Sequence, residues 1–308
     1  MRIYEGINNF KRLEYAVVTS GTFDGVHKGH QKILRRLIEE AKANQGESVL
    51  ITFWPHPRMV LNNDPGFLKL INTMEEKQER LREIGIDHLV LIPFTTEFAK
   101  TSSEEFISEI LVKAIGTRKL IIGYNHRFGK NREGSFESLK KDGNKYGFKI
   151  EEIPKHEIDH IGISSTKIRK ALAEGDIESA DKYLGHPFLL NGLVIHGDNL
   201  GHKIGFPTAN LEIEEAYKLI PADGVYAVKV EVEGNSYSGM LNIGFQPTVM
   251  GKSRKIEVHI IDFEENIYNK KLTISFVKRI RDVQKFQSID HLKLQLNRDK
   301  KKVIKILE

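Results

Sequence analysis

The sequence predicts two unlike halves: an α/β domain on a mostly parallel sheet, followed by an antiparallel β domain, a sandwich or barrel. Two observations carry this. Up to residue 184, strand-length apolar runs alternate with helix-length amphipathic segments, the order that gives parallel strands with helices on the sheet faces. From Gly185 onward, short alternating runs are separated by Gly, Pro and Asn turns, the texture of an antiparallel sheet. A chain of 308 residues has room for two cores, so we expect domains at 1–184 and 185–308.

In the first half, the predicted strands are Tyr15–Thr19, Ser48–Phe53, His88–Ile92, Lys119–Ile122 and Lys149–Ile153. Each is a short run rich in Val, Ile, Leu or Phe. Between them Gln31–Asn44, Met74–Ile84, Ser103–Lys113 and Phe136–Tyr146 have helical periodicity. Two more helices come after these, Thr166–Glu174 and Ile177–Leu184. In the second half, Leu189–His196, Gly224–Val232, Ser236–Ile243, Lys255–Ile261 and Lys271–Lys278 are predicted strands, and a helix from Ser288 to Leu307 closes the chain. In an open parallel sheet, ligands sit at the carboxyl ends of the strands, so the segments after those strands are where chemistry is expected.

Composition narrows the function. There is no cysteine, which excludes disulfides, Cys-ligated zinc and thiol catalysis and fits a reducing compartment. The N-terminal residues lack the apolar core of a signal peptide, and no apolar run approaches membrane-span length. The expectation is a cytoplasmic protein with no membrane partner. The net charge of +5 is as compatible with anionic small ligands as with nucleic acid. The Lys-rich stretch Arg298 to Lys305 reads as the solvated face of a helix.

The segment Gly21-Thr22-Phe23-Asp24-Gly25-Val26-His27-Lys28-Gly29-His30 links a strand to a helix. Such a turn presents backbone N–H groups and a helix N-terminus to an anion. His27 and His30, three apart, share a helical face and suit the charge that develops on a phosphoryl group under attack. The plainer alternative is two histidines that cap the helix. No G-x-x-x-x-G-K-[ST] loop occurs at this turn.

Two further segments stand on the same edge, and a third opens a later helix. Trp54-Pro55-His56-Pro57 ends the second predicted strand, and the single Trp could wall an aromatic ligand or plug the sheet edge. Gly123-Tyr124-Asn125-His126-Arg127-Phe128-Gly129 ends the fourth and offers aromatic, amide and cationic groups, or is a polar turn. Ile163-Ser164-Ser165-Thr166-Lys167-Ile168-Arg169 opens a helix with hydroxyls and cations that could meet phosphates, or form an ordinary N-cap.

The second half holds Gly197-Asp198-Asn199-Leu200-Gly201-His202-Lys203-Ile204-Gly205-Phe206-Pro207-Thr208-Ala209-Asn210-Leu211. Its glycines permit close backbone approach to phosphates. Thr208 and Asn210, two apart in an extended stretch, point the same way and offer hard oxygen ligands suited to Mg²⁺. A Gly-rich hairpin is the alternative. In Lys255–Asp262, Ile256, Val258 and Ile260 face one side and Glu257 and His259 the other. Glu257 is then either a solvated carboxylate or a general base.

Taken in order, these segments resemble the bacterial bifunctional riboflavin kinase/FAD synthetases. Gly21–His30, Pro55-His56-Pro57, Phe128-Gly129 and Ile163–Arg169 match their adenylyltransferase module. Gly205–Asn210, Asp223–Tyr226, Gly239–Gly244, Pro247-Thr248, Glu257, and Arg281 followed by Phe286 match their kinase module. The resemblance covers nearly the whole chain. It implies a Rossmann-like nucleotidyltransferase domain with a parallel sheet and a C-terminal antiparallel β-barrel riboflavin kinase domain. It implies ATP, riboflavin, FMN and FAD as substrates or products, and Mg²⁺ as cofactor.

By the same resemblance His27 and His30 contact ATP phosphates and Glu257 is the kinase base. Thr208 and Asn210 hold Mg²⁺. Nucleotide or flavin contacts fall on Gly21, Phe23, Asp24, Gly25, Trp54, Pro55, His56, Asn125, Phe128, Ser164, Ser165, Thr166 and Arg169. In the kinase half they fall on Gly197, Gly201, Lys203, Gly205, Pro207, Asn242 and Arg281. Asn125-His126 departs from the Asp-Phe pair that many members carry. The partners implied are small molecules, without nucleic acid. Two alternatives cover part of this pattern: a nucleotidyltransferase for another phosphorylated acceptor with a flavin-binding regulatory barrel, and a flavin-binding regulator that touches RNA.

Overall fold

The computed structural model describes residues 1–62, 68–124, 129, 145–154, 162–197, 200–248 and 251–308. The chain divides into two compact units, Met1–Ser164 and Ser165–Glu308.

In the first unit, β1 (Arg2–Glu5), β2 (Ala16–Ser20), β3 (Glu47–Trp54), β4 (His88–Pro93), β5 (Thr117–Gly123) and β6 (Lys149–Ile153) form one sheet in the order β1-β4-β3-β2-β5-β6. Every pairing is parallel. From β2 the chain steps outward through β3 and β4, then returns to place β5 on the other side of β2. The order therefore reverses between β2 and β5, which makes a crevice at their carboxyl ends.

Helix α1 (Lys28–Ala43) buries Ile33, Leu34, Leu37 and Ala41, a stripe at helical spacing, against Val17, Leu50 and Ile121 of the sheet. A short helix, α2 (Pro57–Leu61), comes after β3. Helix α3 (Met74–Ile84) starts at a capping box in which the Thr73 hydroxyl accepts the Glu76 N–H and the Glu76 carboxylate accepts the Thr73 N–H. It ends at Gly85, where φ is +95°. Together these devices fix both ends of α3, the cap alone contributing about 1 kcal/mol.

The predicted helix Ser103–Lys113 is wound differently from expectation. Only α4 (Ser103–Glu105) is α-helical, and Phe106–Ile115 continues it as a π-helix. The wider winding leaves the Leu111 carbonyl to the Gly116 N–H and the Thr117 hydroxyl, the latter at 2.6 Å. The predicted helix Phe136–Tyr146 lies outside the described residues but for its last two positions.

The second unit opens with α5 (Ser165–Glu174) and α6 (Ile177–Leu184). Both are tied to later parts of the same unit. The Ala222 N–H donates to the Leu172 carbonyl at 2.9 Å, and the Phe188 N–H donates to Asp181 at 2.8 Å. Then β7 (Leu189–Ile195), β8 (Ala209–Glu212), β9 (Gly224–Val232), β10 (Asn235–Thr248), β11 (Gly251–Ile260) and β12 (Lys271–Arg281) close into a barrel in the order β10-β11-β8-β7-β12-β9. A short helix, α7 (Leu200–Lys203), precedes β8. The terminal helix α8 (Ile289–Leu307), capped by the Ser288 side chain, sets Val303 against Phe206, Val225, Ala227, Met240, Ile261 and Ile280.

Candidate active sites

The turn between β2 and α1 carries unusual backbone. Phe23 and Val26 have φ of +46° and +40°, and Gly25 has +84°. A β-branched residue there is a true outlier, and each such non-glycine residue costs on the order of 1–3 kcal/mol, which the surrounding structure must hold. The sheet and α3 do so. The Gly21 N–H donates to Ile51, and buried Asp24 accepts the N–H groups of Ile71 (3.0 Å) and Asn72 (3.4 Å). Asp24, expected among the ligand contacts, is thus aimed at the segment that leads into α3.

His27 is the N-cap of α1, and its Nδ1 accepts the His30 N–H at 3.3 Å. With Nδ1 an acceptor, a neutral ring carries its proton on Nε2. The two imidazoles stack, centroids 3.6 Å apart and planes at 15°, and Phe23 lies 4.8 Å from His30. Burial, then the neighbouring His27, then Lys77, push the His30 pKa well below its usual value. His30 is therefore neutral at physiological pH, and its buried Nδ1 has no hydrogen-bond partner among the described residues. Two stacked imidazoles at a helix N-terminus, that of His30 neutral, are a set of directed groups suited to an anion.

Beside this turn, β3 ends at Trp54. Trp54 is half-buried, Pro55 is exposed, and His56 caps α2 with Nδ1 accepting the Arg58 N–H at 3.1 Å. Phe53 packs with Phe94 and Phe98, each 5.9 Å away. Asn125 and Phe128 lie outside the described residues. Ser164 is the last residue of the first unit; Ser165, Thr166 and Arg169 stand on α5 in the second.

Lys77 was not legible in the sequence. Within Met74–Ile84 it reads as one more solvated charge. In the fold it is 3% exposed, and its ammonium donates to the Thr22 carbonyl at 2.8 Å.

In the barrel, strand register assembles the second site. Across neighbouring strands Asn210 pairs with Ile195 and Glu257, Glu257 with Asn242, Asn242 with Val225, and Val225 with Arg281. Residues in one row share a face, with Cβ atoms of direct partners about 5 Å apart. Asn210, Glu257, Asn242 and Arg281 thus stand in a single row. The alternation in β11 is as expected: Ile256, Val258 and Ile260 are buried in the core, and half-buried Glu257 lies on the face that carries His259.

The glycine segment wraps this row. A Cβ at Gly197 would lie on the Asn210 amide, and one at Gly201 would come within 3.2 Å of the Thr208 hydroxyl. Gly205 has a φ of +82°, and the Phe206 N–H donates back to the Gly201 carbonyl at 2.9 Å. The Thr208 hydroxyl and the Asn210 amide oxygen are hard, uncharged donors beside open backbone, the chemistry that fits Mg²⁺ carried by a polyphosphate. The Lys203 side chain lies outside the described residues.

Two residues support this site from behind. His259 Nδ1 donates to the Pro207 carbonyl at 2.8 Å, its ring lies 5.2 Å from Phe206, and burial lowers its pKa. Arg281 is held by Asp299 of α8 through Nε at 2.8 Å and Nη2 at 2.7 Å, and Gln295 donates to the other carboxylate oxygen. The only sequence signal for His259 was its place two residues from Glu257. Asp299 gave none, because its partner lies on a strand 18 residues earlier.

A family model described as FAD synthetase matches residues 9–167, and one described as riboflavin kinase matches residues 184–307. Curated relatives named bifunctional riboflavin kinase/FMN adenylyltransferase include one from Escherichia coli (strain K12), 38% identical and covering 97% of this chain and 96% of its own. Another, from Buchnera aphidicola subsp. Schizaphis graminum, is 40% identical with the same coverage. A solved structure from Streptococcus pneumoniae, titled a macrolide-efflux protein, is 32% identical, superposes with a TM-score of 0.90 and covers 98% of each chain. Among the described residues here, no helix is long and apolar enough to cross a membrane.

Proposed function

This chain belongs to the family of bifunctional riboflavin kinase/FMN adenylyltransferases, and we propose which of its residues carry each of the two reactions. The activity is the phosphorylation of riboflavin by ATP to FMN and the adenylylation of FMN by ATP to FAD and pyrophosphate. The parallel-sheet unit matches the adenylyltransferase model and the barrel the kinase model. We take 184/185 as the functional boundary, with the kinase residues all beyond it.

For the kinase, the single row Asn210–Glu257–Asn242–Arg281 is the observation that carries the proposal. The terminal ribityl hydroxyl of riboflavin is a neutral nucleophile and must lose its proton as it attacks the γ-phosphorus. Glu257 accepts that proton and orients the hydroxyl, while ADP leaves from the far side of phosphorus. Thr208 and Asn210 would hold Mg²⁺, which would offset the charge on the transferring group. Gly197, Gly201 and Gly205 admit the phosphates, and Pro207, fixed by His259, keeps Thr208 in place. Arg281, held by Asp299, faces the flavin side.

In adenylyl transfer the nucleophile is an FMN phosphate oxygen, already ionised, so no base is needed. It attacks the α-phosphorus of ATP and pyrophosphate leaves. The His27 and His30 imidazoles and the N-terminus of α1 donate to the oxygens on which charge grows. Trp54 and His56 border the flavin.

Glu257→Gln keeps size and hydrogen bonding but removes the basic oxygen. FMN formation should fall about 10²–10⁴-fold in kcat, with a smaller change in KM for riboflavin, while supplied FMN still becomes FAD. Purified Glu257→Gln enzyme with intact kinase activity would remove Glu257 from this role.

A further inference from the structure

Under the phosphate turn of the first unit lies a closed set of polar side chains. Asp24, Asn72, Thr73, Glu76 and Lys77 are each at most 4% exposed. Burying an ammonium is costly unless it is paired and hydrogen-bonded. Lys77 has three N–H donors, yet its one acceptor among the described residues is the Thr22 carbonyl, 2.8 Å away. That carbonyl also lies 3.4 Å from the Thr52 hydroxyl.

Thr22 and Phe23 share the peptide plane that starts the left-handed part of the turn. In a trans peptide the C=O and the next N–H point in opposite directions. Holding the Thr22 carbonyl down toward α3 therefore turns the Phe23 N–H the other way, outward from the buried cluster. Were this peptide to flip, a carbonyl oxygen would replace a donor at a site meant for anions. Phe23 stands at a φ of +46°, so the turn has no intrinsic preference for the orientation it adopts.

We propose that Lys77 is a positioning residue for adenylyl transfer: its buried ammonium clamps the Thr22 carbonyl and lends the turn a fixed positive charge. The proposal rests on assigning adenylyl transfer to the His27/His30 turn. The charge is balanced by Asp24 of the turn, which raises the Lys77 pKa against the larger lowering by burial. The other ionisable groups around it are Glu76 on its own helix, and His27 and His30 at the start of α1. Lys77 also helps to keep His30 neutral.

The test is Lys77→Met, which keeps the length of the side chain and removes the charge. A residue that served only the fold of the first unit would lower the melting temperature and the folded fraction, but not the rate per folded molecule or the alkaline limb of its pH profile. The kinase in the second unit would be untouched either way. A positioning residue lowers the rate per folded molecule itself. Lys77→Met should melt lower than wild type, because it leaves Asp24 buried without its counter-charge, so rates are compared per folded molecule. It should phosphorylate riboflavin normally and convert supplied FMN to FAD about 10²-fold more slowly. Adenylyl transfer by the wild type should also decline on the alkaline side, below the range of an ordinary lysine, in a limb that riboflavin phosphorylation lacks.

FMN conversion within about threefold of wild type per folded molecule overturns the proposal, as does a fall no larger than the loss of folded enzyme. If Lys77→Met does not fold, the wild-type pH profile decides alone, and absence of the alkaline limb overturns it. His30→Ala is assayed beside it. Full adenylyl transfer in His30→Ala would undo the site assignment itself. Loss there with full activity in Lys77→Met would undo only the clamp.

Discussion

Replacing Gly197 by alanine tests the kinase site by adding one methyl group where the glycine segment packs on Asn210. A Cβ at position 197 would stand 2.5 Å from Asn210 Cγ and 3.0 Å from its Oδ1. Ordinary contact between such atoms is about 3.5–4.0 Å, so the amide, whose Nδ2 lies nearer still, must retreat by more than about 1 Å. Asn210 is 8% exposed and sits in a closed barrel, so it has little space to do so by rotation alone. A displacement of that size at a group that positions substrate costs about 10²-fold in rate, or about 2.7 kcal/mol of transition-state stabilisation. The overpacking itself destabilises the unit by about 1–3 kcal/mol. The assay is chromatographic: riboflavin with Mg²⁺ and ATP, scored for FMN, beside supplied FMN scored for FAD. We expect the first rate to fall about 10²-fold and the second to hold. Wild-type FMN formation by folded Gly197→Ala enzyme would mean that the Asn210 amide does not act where the register puts it.

Alanine at His27 or His30 should slow FAD formation about 10²-fold and leave FMN formation unchanged; loss of both activities would assign the pair to the fold instead. Asp299→Ala leaves Arg281 buried without its counter-charge, and should cost the barrel about 3–5 kcal/mol by chemical denaturation. Burial raises the Asp181 carboxyl to about 7 from an ordinary 3.8, against the Phe188 N–H that lowers it. Between those values the folded chain binds the proton more tightly than the unfolded chain, so stability falls as pH rises from about 4 to about 7. Asp181→Asn should lose that slope, seen as equal urea midpoints at pH 5 and pH 8 once other groups are matched in the comparison.

The elements with strong internal periodicity were legible in the sequence. Met74–Ile84 and Ile177–Leu184 coincide with the helices found, as do Lys149–Ile153 and Gly224–Val232 with the strands. The missing strands, β1 and β8, have four residues each, too few for alternation to register. Both owe their existence to a partner: β1 adds to β4, and β8 fills the gap between β7 and β11. The motif at Gly21–His30 gave the right turn, yet not the division within it between Asp24, aimed at the scaffold, and His30, left with an open nitrogen. Contacts made over long separation in sequence, such as Lys77 with Thr22 or His259 with Pro207, have no local signature at all.

Closure of the barrel gives the kinase row a property that an open sheet lacks. Six strands pair in a ring, so a one-residue slip between any two must be undone by an opposite slip elsewhere before the ring can shut. Because side chains alternate, a one-residue slip of β11 would also turn Glu257 toward the core and Val258 out of it. The ring takes up irregularity locally instead: β12 shifts register against β9 between Phe276 and Lys278 and again between Arg279 and Arg281, just before the end of the row. An extra residue in β8, β10 or β11 must therefore either bulge out of its ladder, as β12 does beside Arg281, or displace the kinase row.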